Sequence, residues 1–212
     1  MDSAPAIRCA GPAAHTDVLR DVAHELRQPL STIESIAYYL AMVLPPADER
    51  ARAQLNCIRQ LVEQSNWILS SGLGLVGCAP AGAPVPIDLE ELLTRAAAAS
   101  VGQDRPTVRF ALAGSLPLVQ LDPGQGRDLA ETLLILARQL AARGPVTISS
   151  EACCSGGAAL LVSAPAQVSM SAFGPGAMLG LENARKIAEI HGGRLTLESS
   201  PEAGIRLTVM LP

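Results

Sequence analysis

The sequence predicts an α+β chain in two parts. An N-terminal antiparallel helical hairpin pairs with a second copy into a dimeric four-helix bundle, and an α/β sandwich follows. Three observations carry this. Apolar residues recur at helical spacing over two runs of roughly thirty residues each. A Pro- and Gly-containing stretch without charge, Cys78–Pro86, follows the second run. Beyond it, short β-type runs mix with helical ones, and two strands close the chain.

Residues 1–15, rich in Ala and Pro, read as a frayed tail. From about Thr16 to Leu44 the residues Leu19, Val22, Leu26, Leu30, Ile33, Ala37, Leu40 and Leu44 share an arc of about 80°. Pro45-Pro46 stops that helix, and Asp48-Glu49 place acids at the next N-terminus. The second helix carries Ala51, Leu55, Ile58, Val62, Ser65, Leu69, Leu73 and Val76 on one stripe. Each helix is on the order of 45 Å long. A hairpin of two such helices cannot bury a continuous stripe by itself, so self-pairing is the cheapest solution. The hairpin thus occupies residues 16–77, a linker 78–86 and the second domain 87–212. In that domain Asp88 caps a helix to about Ser100, and strands are predicted at 107–112 and 117–120. Gln125–Arg143 reads as a helix, 145–151 and 158–163 as strands, and Leu179–His191 as a helix stopped by Gly192-Gly193. Strands 194–199 and 205–211 are joined by a turn containing Pro201 and Gly204.

Composition removes several classes of function. The 212 residues hold 16 Lys+Arg against 20 Asp+Glu, a formal net charge of −4, which argues against nucleic-acid binding through a basic face. One Trp, two Tyr and two Phe leave too few rings for a base-stacking platform. The uncharged stretches Gln64–Ile87 and Ala152–Leu181 are broken by Gly, Pro, Ser and Gln, so neither reads as a membrane span. The opening MDSAPAIRCAGP lacks the apolar run of a secretory signal. Five cysteines (Cys9, Cys57, Cys78, Cys153, Cys154), with no CxxC spacing, read as thiols in a reducing cytosol. Cys153 and Cys154 are adjacent and would point to opposite faces of a strand, which makes them poor joint ligands; no metal site is predicted. The expected location is the cytoplasm.

The first helix holds the most informative position, His24, in DVAHELRQPLSTI. It lies about 155° from the centre of the apolar stripe, on an outer face shared with Arg27, Gln28, Ser31 and Ser35. An exposed imidazole is mostly neutral at pH 7 and is a competent nucleophile. A carboxylate such as Glu25 can bond Nδ1–H and leave Nε2 free to attack phosphorus. Geometry alone favours a surface histidine that has no role.

The stretch His24-Glu25-Leu26-Arg27-Gln28-Pro29-Leu30 resembles the H-box of sensor histidine kinases, whose histidine accepts the phosphoryl group. The hairpin is then similar to their dimerisation and phosphotransfer domain, and Pro29 would kink its first helix. Independently, GLENARKIAEIHGGRLTLESSPEAGIRLTVMLP (180–212) resembles the end of their GHKL-type ATP-binding domain. The resemblance implies that His24 is the acceptor, that Glu25 orients it, and that Arg27, Gln28 and Ser31 are docking or water-positioning residues.

The family's nucleotide motifs are degenerate here. Its Mg²⁺-binding Asn corresponds to Leu136 in TLLILARQLA. Its adenine-reading Asp-x-Gly-x-Gly is replaced by Pro165-Ala166-Gln167, and its last glycine box reads Gly176-Ala-Met178-Leu-Gly180-Leu181. Leu136 cannot ligate Mg²⁺, which wants oxygen, and phosphoryl transfer from ATP depends on charge placement that is missing here. Other motifs carry less: GPGAMLG lacks a P-loop's Gly-Lys-Ser/Thr, His191 belongs to a helix-ending HGG, and Trp67 reads as packing.

The expected function is therefore a dimeric two-component phosphorelay histidine phosphotransferase. It passes a phosphoryl group between receiver-domain Asp residues and His24, binds no cofactor of its own, and relies on Mg²⁺ in the receiver's site. The alternatives are an ATP-dependent sensor histidine kinase core with an atypical pocket, and a receiver phosphatase or adaptor. The lack of a sensor or membrane segment favours an intermediate relay.

Overall fold

The computed structural model describes residues 12–45, 47–77, 82–99, 108–153 and 156–212. They fall into two compact units, Met1–Pro80 and Ala81–Pro212. Residues 1–11 of the expected tail, 78–81 of the expected linker, and Cys154 lie outside the described residues.

The first unit is a hairpin of α1 (Pro12–Val43) and α2 (Glu49–Leu75). The first helix starts four residues before the predicted Thr16, because Ala13 and Ala14 favour the helix and Pro is tolerated in its first turn. At α2 the Asp48 side chain caps the helix by accepting from the Ala51 amide at 3.0 Å. The helices pack on each other and bury Ala23, Ala37, Leu55 and Val62. Larger members of the predicted stripe stay in water within the single chain: Val22 is 49% exposed, Leu26 46% and Ile33 44%. The apolar arc is wider than one partner helix can cover. Among the described residues, no helix is long and apolar enough to cross a membrane.

The second unit starts earlier than its predicted boundary. The expected linker's Val85 and Pro86 belong to β1 (Val85–Ile87), which pairs antiparallel with β3 (Val119–Leu121). The low charge and Pro content of that stretch suit a strand beside a loop as well as they suit a linker. Asp88 then caps α3 (Leu89–Ala99), its Oδ1 accepting from the Glu90 and Glu91 amides at 2.8 and 3.1 Å.

The main sheet has five strands in the order β2-β4-β5-β7-β6, with β2 (Val108–Ala111), β4 (Val146–Ala152), β5 (Ala158–Ala164), β6 (Arg194–Ser200) and β7 (Gly204–Leu211). Only the β2–β4 pair is parallel. That pair needs a crossover, which α4 (Pro123–Ala141) supplies. α4 packs on β4 and β5, and α5 (Ala177–Ile190) packs on β6 and β7 and on α4. The core is aliphatic, as five aromatic residues in the chain require: Leu129, Leu133, Leu136, Leu140, Ile148, Leu160, Leu181 and Ile205 are fully buried. Cys153 sits in the β4–β5 turn rather than in a strand, where its amide donates to the Gly157 carbonyl at 2.8 Å.

Two polar ties fix α3 and α4. The Glu90 carboxylate accepts from Ser150 Oγ on β4 and from the Gly114 amide at 3.0 Å, joining α3 to the sheet. Asp122 is 4% exposed and caps α4: Oδ1 accepts from the Gln125 amide at 2.7 Å, and Oδ2 from the Gly82 amide at 2.6 Å. A Cβ at Gly82 would stand 2.5 Å from that Oδ2, so the close approach requires glycine.

Candidate functional site

His24 is exposed on α1. Its expected neighbours divide into two groups. Glu25, Gln28 and Ser31 are exposed with it, and the Ser31 and Gln28 carbonyls accept from Ser35 Oγ at 2.9 Å and Thr32 Oγ1 at 3.1 Å. Arg27 departs from the expected outer face. It is half-buried, and its Nη2 donates to Ser70 Oγ on α2 at 3.1 Å. About 60° of rotation separates Arg27 from His24 on the helix, enough to bring the guanidinium over the seam between the helices. Among the described residues, no hydrogen bond joins Glu25 to His24, since side chains one residue apart leave the helix axis about 100° from each other. Pro29 lies inside α1 and supplies no N–H for the Glu25 carbonyl, which frees one backbone acceptor on the residue after His24.

The second candidate region holds the positions that the resemblance matches to the family's nucleotide motifs, on α4, the segment after β5, and the start of α5. Leu136 has 0% exposure and belongs to the aliphatic core. β5 runs into half-buried Pro165, whose carbonyl accepts from the Val168 amide at 2.9 Å to form a tight turn. That turn drives Val168 inward, to 2% exposure. A Cβ at Gly144, just past α4, would stand only 2.9 Å from Val168 Cγ2. A single helical turn follows at Met170–Ala172, and the Gly174 amide then donates to Gln139 Oε1 on α4 at 3.0 Å. The segment therefore lies against the loop after α4 at one end and is hydrogen-bonded to α4 at the other.

Gly176, at φ +81°, adopts the left-handed conformation that caps the start of α5. Gly180 is buried, its amide donating to the Gly176 carbonyl at 3.0 Å. Met178 instead points outward at 59% exposure. Among the described residues, no group of three His, Cys, Asp or Glu side chains is placed to hold a metal ion. The structure thus places Leu136 in the core, Pro165 at a tight turn, and the two glycines at the start of α5. Sequence reasoning missed Gln139 and Val168. Their only signals were a polar residue three positions after Leu136 on the same helix, and a lone valine in an otherwise small and polar segment.

His191 ends α5, and its Nε2 lies 2.8 Å from Gln125 Oε1 on α4. Trp67 on α2 is buried.

A hairpin carrying an exposed histidine, followed by a mixed sheet with two helices on it, defines a class: the histidine kinase-like core with a GHKL-type second domain. The comparisons agree. No protein-family model matches the chain. It is 30% identical over 209 residues to the sensor histidine kinase ZraS of Klebsiella oxytoca, which covers 90% of this chain and 44% of that protein. ZraS of Escherichia coli strain K12 is 29% identical over 210 residues, with the same shares covered. The chain spans under half the length of the curated relatives it matches. Among solved structures, full-length ShkA in complex with AMPPNP superposes with a TM-score of 0.60 at 20% identity, over 93% of this chain and 46% of that one. The Acinetobacter baumannii histidine kinase AdeS gives 0.54 at 19% identity, over 89% and 96%. These two likenesses establish the fold. Over 90% of its length the chain is similar to sensor histidine kinases, which supports the family that its H-box and closing stretch resemble.

Proposed function

We propose that this chain works as a homodimeric histidine phosphotransferase in the cytoplasm, exchanging phosphoryl groups between His24 and the phosphorylated Asp of receiver domains without using ATP. The observation that supports the missing ATP step is Leu136: it is fully buried, at the position that the family resemblance gives to an oxygen ligand for Mg²⁺. In the forward step the neutral His24 Nε2 attacks the phosphorus of a receiver's aspartyl phosphate. A P–N bond forms as the P–O bond breaks, and the aspartate leaves as carboxylate. Mg²⁺ in the receiver's acidic pocket neutralises the charge on the equatorial oxygens. The second receiver takes the group by the reverse displacement. Glu25, one residue away, biases the imidazole electrostatically, and Gln28 and Ser31 offer polar contacts on the exposed face.

One observation favours a second reading. The relatives matched over 90% of the chain are sensor histidine kinases by name, so an ATP-dependent kinase with an unusual pocket is the direct competitor. Two incubations separate the readings. With a receiver domain charged by acetyl phosphate and Mg²⁺, acid-labile phosphate should appear on the wild-type chain and not on His24→Ala. With ATP and Mg²⁺ alone, none should appear. Labelling from ATP would overturn the relay in favour of the kinase. Release of free phosphate from the receiver without label on His24 would make the chain a receiver phosphatase, and neither result would leave an adaptor.

A further inference from the structure

The charges around His24 are unevenly spent. On α1, two acids (Asp21 and Glu25) and two cations (Arg20 and Arg27) lie within four residues of it. Arg20 is paired with an acid, its Nη1 donating to Asp17 Oδ1 at 2.9 Å. Arg27 differs. Among the described residues it makes no ion pair, and its Nη2 donates to the neutral hydroxyl of Ser70 at 3.1 Å. A half-buried guanidinium tied to an uncharged oxygen keeps its full charge, and that bond uses one of its five N–H donors.

Direction decides which arginine serves His24. Helical side chains lean toward the N-terminus, so a residue three positions on covers the turn before it. Arg27 therefore leans back over the turn that carries His24, and Cβ atoms at that spacing are about 5–6 Å apart. Arg20 leans the other way, toward Asp17. His24 and Ser70 are both exposed, so the flank on which the guanidinium rests is open to solvent. A phosphoryl group on His24 brings about −1.5 to −2 of charge and three acceptor oxygens. Asp21 and Glu25 repel that charge. A guanidinium answers it in shape as well as in sign, because its fork matches two phosphoryl oxygens at once.

We propose that Arg27 binds the phosphoryl group carried by His24 through its guanidinium, and that the bond to Ser70 holds this side chain on the same flank before the group arrives. Such restraint lowers the rotamer freedom lost when the phosphoryl oxygens are bound. The inference rests on the phosphorylation of His24 in the proposed function, to which it adds the cation that this chain supplies.

Two measurements test it. Phosphoramidate transfers its phosphoryl group to imidazole and releases ammonia, so it charges His24 without a receiver. The phosphorus NMR signal absent from His24→Ala is the one to follow. The pKa of that phosphoryl group should be higher in Arg27→Gln than in wild type, because a nearby cation favours the dianion. With a receiver charged by acetyl phosphate and Mg²⁺, the equilibrium ratio of phosphorylated to free His24 should fall about tenfold in Arg27→Gln. Arg27→Met keeps the stem over the seam, should behave alike, and covers the case in which Arg27→Gln fails to fold. Ser70→Ala should lower the ratio about twofold, and Arg20→Gln by less than that. An unchanged phosphoryl pKa in the Arg27 variants, or an equal effect from Arg20→Gln, would overturn the assignment. Lower melting temperatures with that pKa unmoved would make Arg27 a tie between helices and nothing more. A wild-type His24 that takes no phosphoryl group from the receiver would overturn the relay, and the phosphoramidate measurement would still decide the role of Arg27.

Discussion

Leu136 is the residue of the second unit on which the proposed relay leans most. Its side chain is fully buried, so the position is not a polar site missing one group; it is part of the packing that holds α4 to the sheet. A carboxamide there would need hydrogen bonds that the surrounding leucines and alanines cannot give. Leu136→Asn should therefore destabilise the second unit by about 3–5 kcal/mol, from lost volume together with an unmet amide. It should also fail to create affinity for nucleotide. The check is a thermal melt of the variant with and without AMPPNP and Mg²⁺: a large fall in Tm is expected, with no recovery on adding ligand. Recovery would mean that the nucleotide pocket persists behind the leucine. The helix around Leu136 was legible in the sequence, because its apolar period is unambiguous. The inward turn of Val168 was not, because local pattern does not predict it.

At the scale of elements, α4 carries an unusual electrostatic load. Asp128 and Glu131 are raised above their ordinary values of 3.8 and 4.5, chiefly by burial. Arg127 opposes the shift in both, while Asp122 adds to it for Asp128, and Asp128 adds to it for Glu131. An acid whose folded pKa lies above its unfolded value binds more protons when folded, so it costs stability as pH rises between those two values. The penalty is complete at neutral pH and relieved in acid, down to about the ordinary values. Asp128→Asn, at the half-buried member of the pair, should accordingly raise Tm at pH 7 and leave it little changed near the ordinary carboxylate value of 3.8, as differential scanning calorimetry across that range would register. A uniform shift at every pH would assign the effect to packing instead. The start of α4 belongs to the same scale. The expected Gln125 start missed two residues because Asp122 caps from outside and Pro123 fits the first turn without an amide to donate. Likewise β1 was hidden in the expected linker, since three residues paired to a distant strand leave no periodic signal.

Across the whole molecule the two units differ in how they are held. The second closes its own core; the hairpin leaves Leu19, Val22, Leu26, Ile33 and Ile58 at least 38% exposed within one chain. Its stability should then depend on protein concentration through self-association, while that of the second unit should not. The one Trp of the chain, Trp67, is buried on α2 and makes this measurable, because its fluorescence reports the hairpin alone. Raising the concentration tenfold should move the fluorescence transition upward and leave a separate, concentration-independent transition visible by calorimetry. A fluorescence transition that does not move would argue against self-pairing.

What the sequence determined by itself is the order of elements apart from β1 and the short turn at Met170–Ala172, and the exposure of His24, for these follow from periodicity, caps and breakers within a few turns of the residue concerned. The helix wheel turned His24 away from the apolar arc, and the structure leaves it in water. Tertiary structure alone decided which side chains meet across distance. It drew Arg27 to Ser70, Gly82 to Asp122, and Gly174 to Gln139. Each pair is separated by 35 residues or more, and such contacts are set by how helices and sheet stack, which no local pattern encodes.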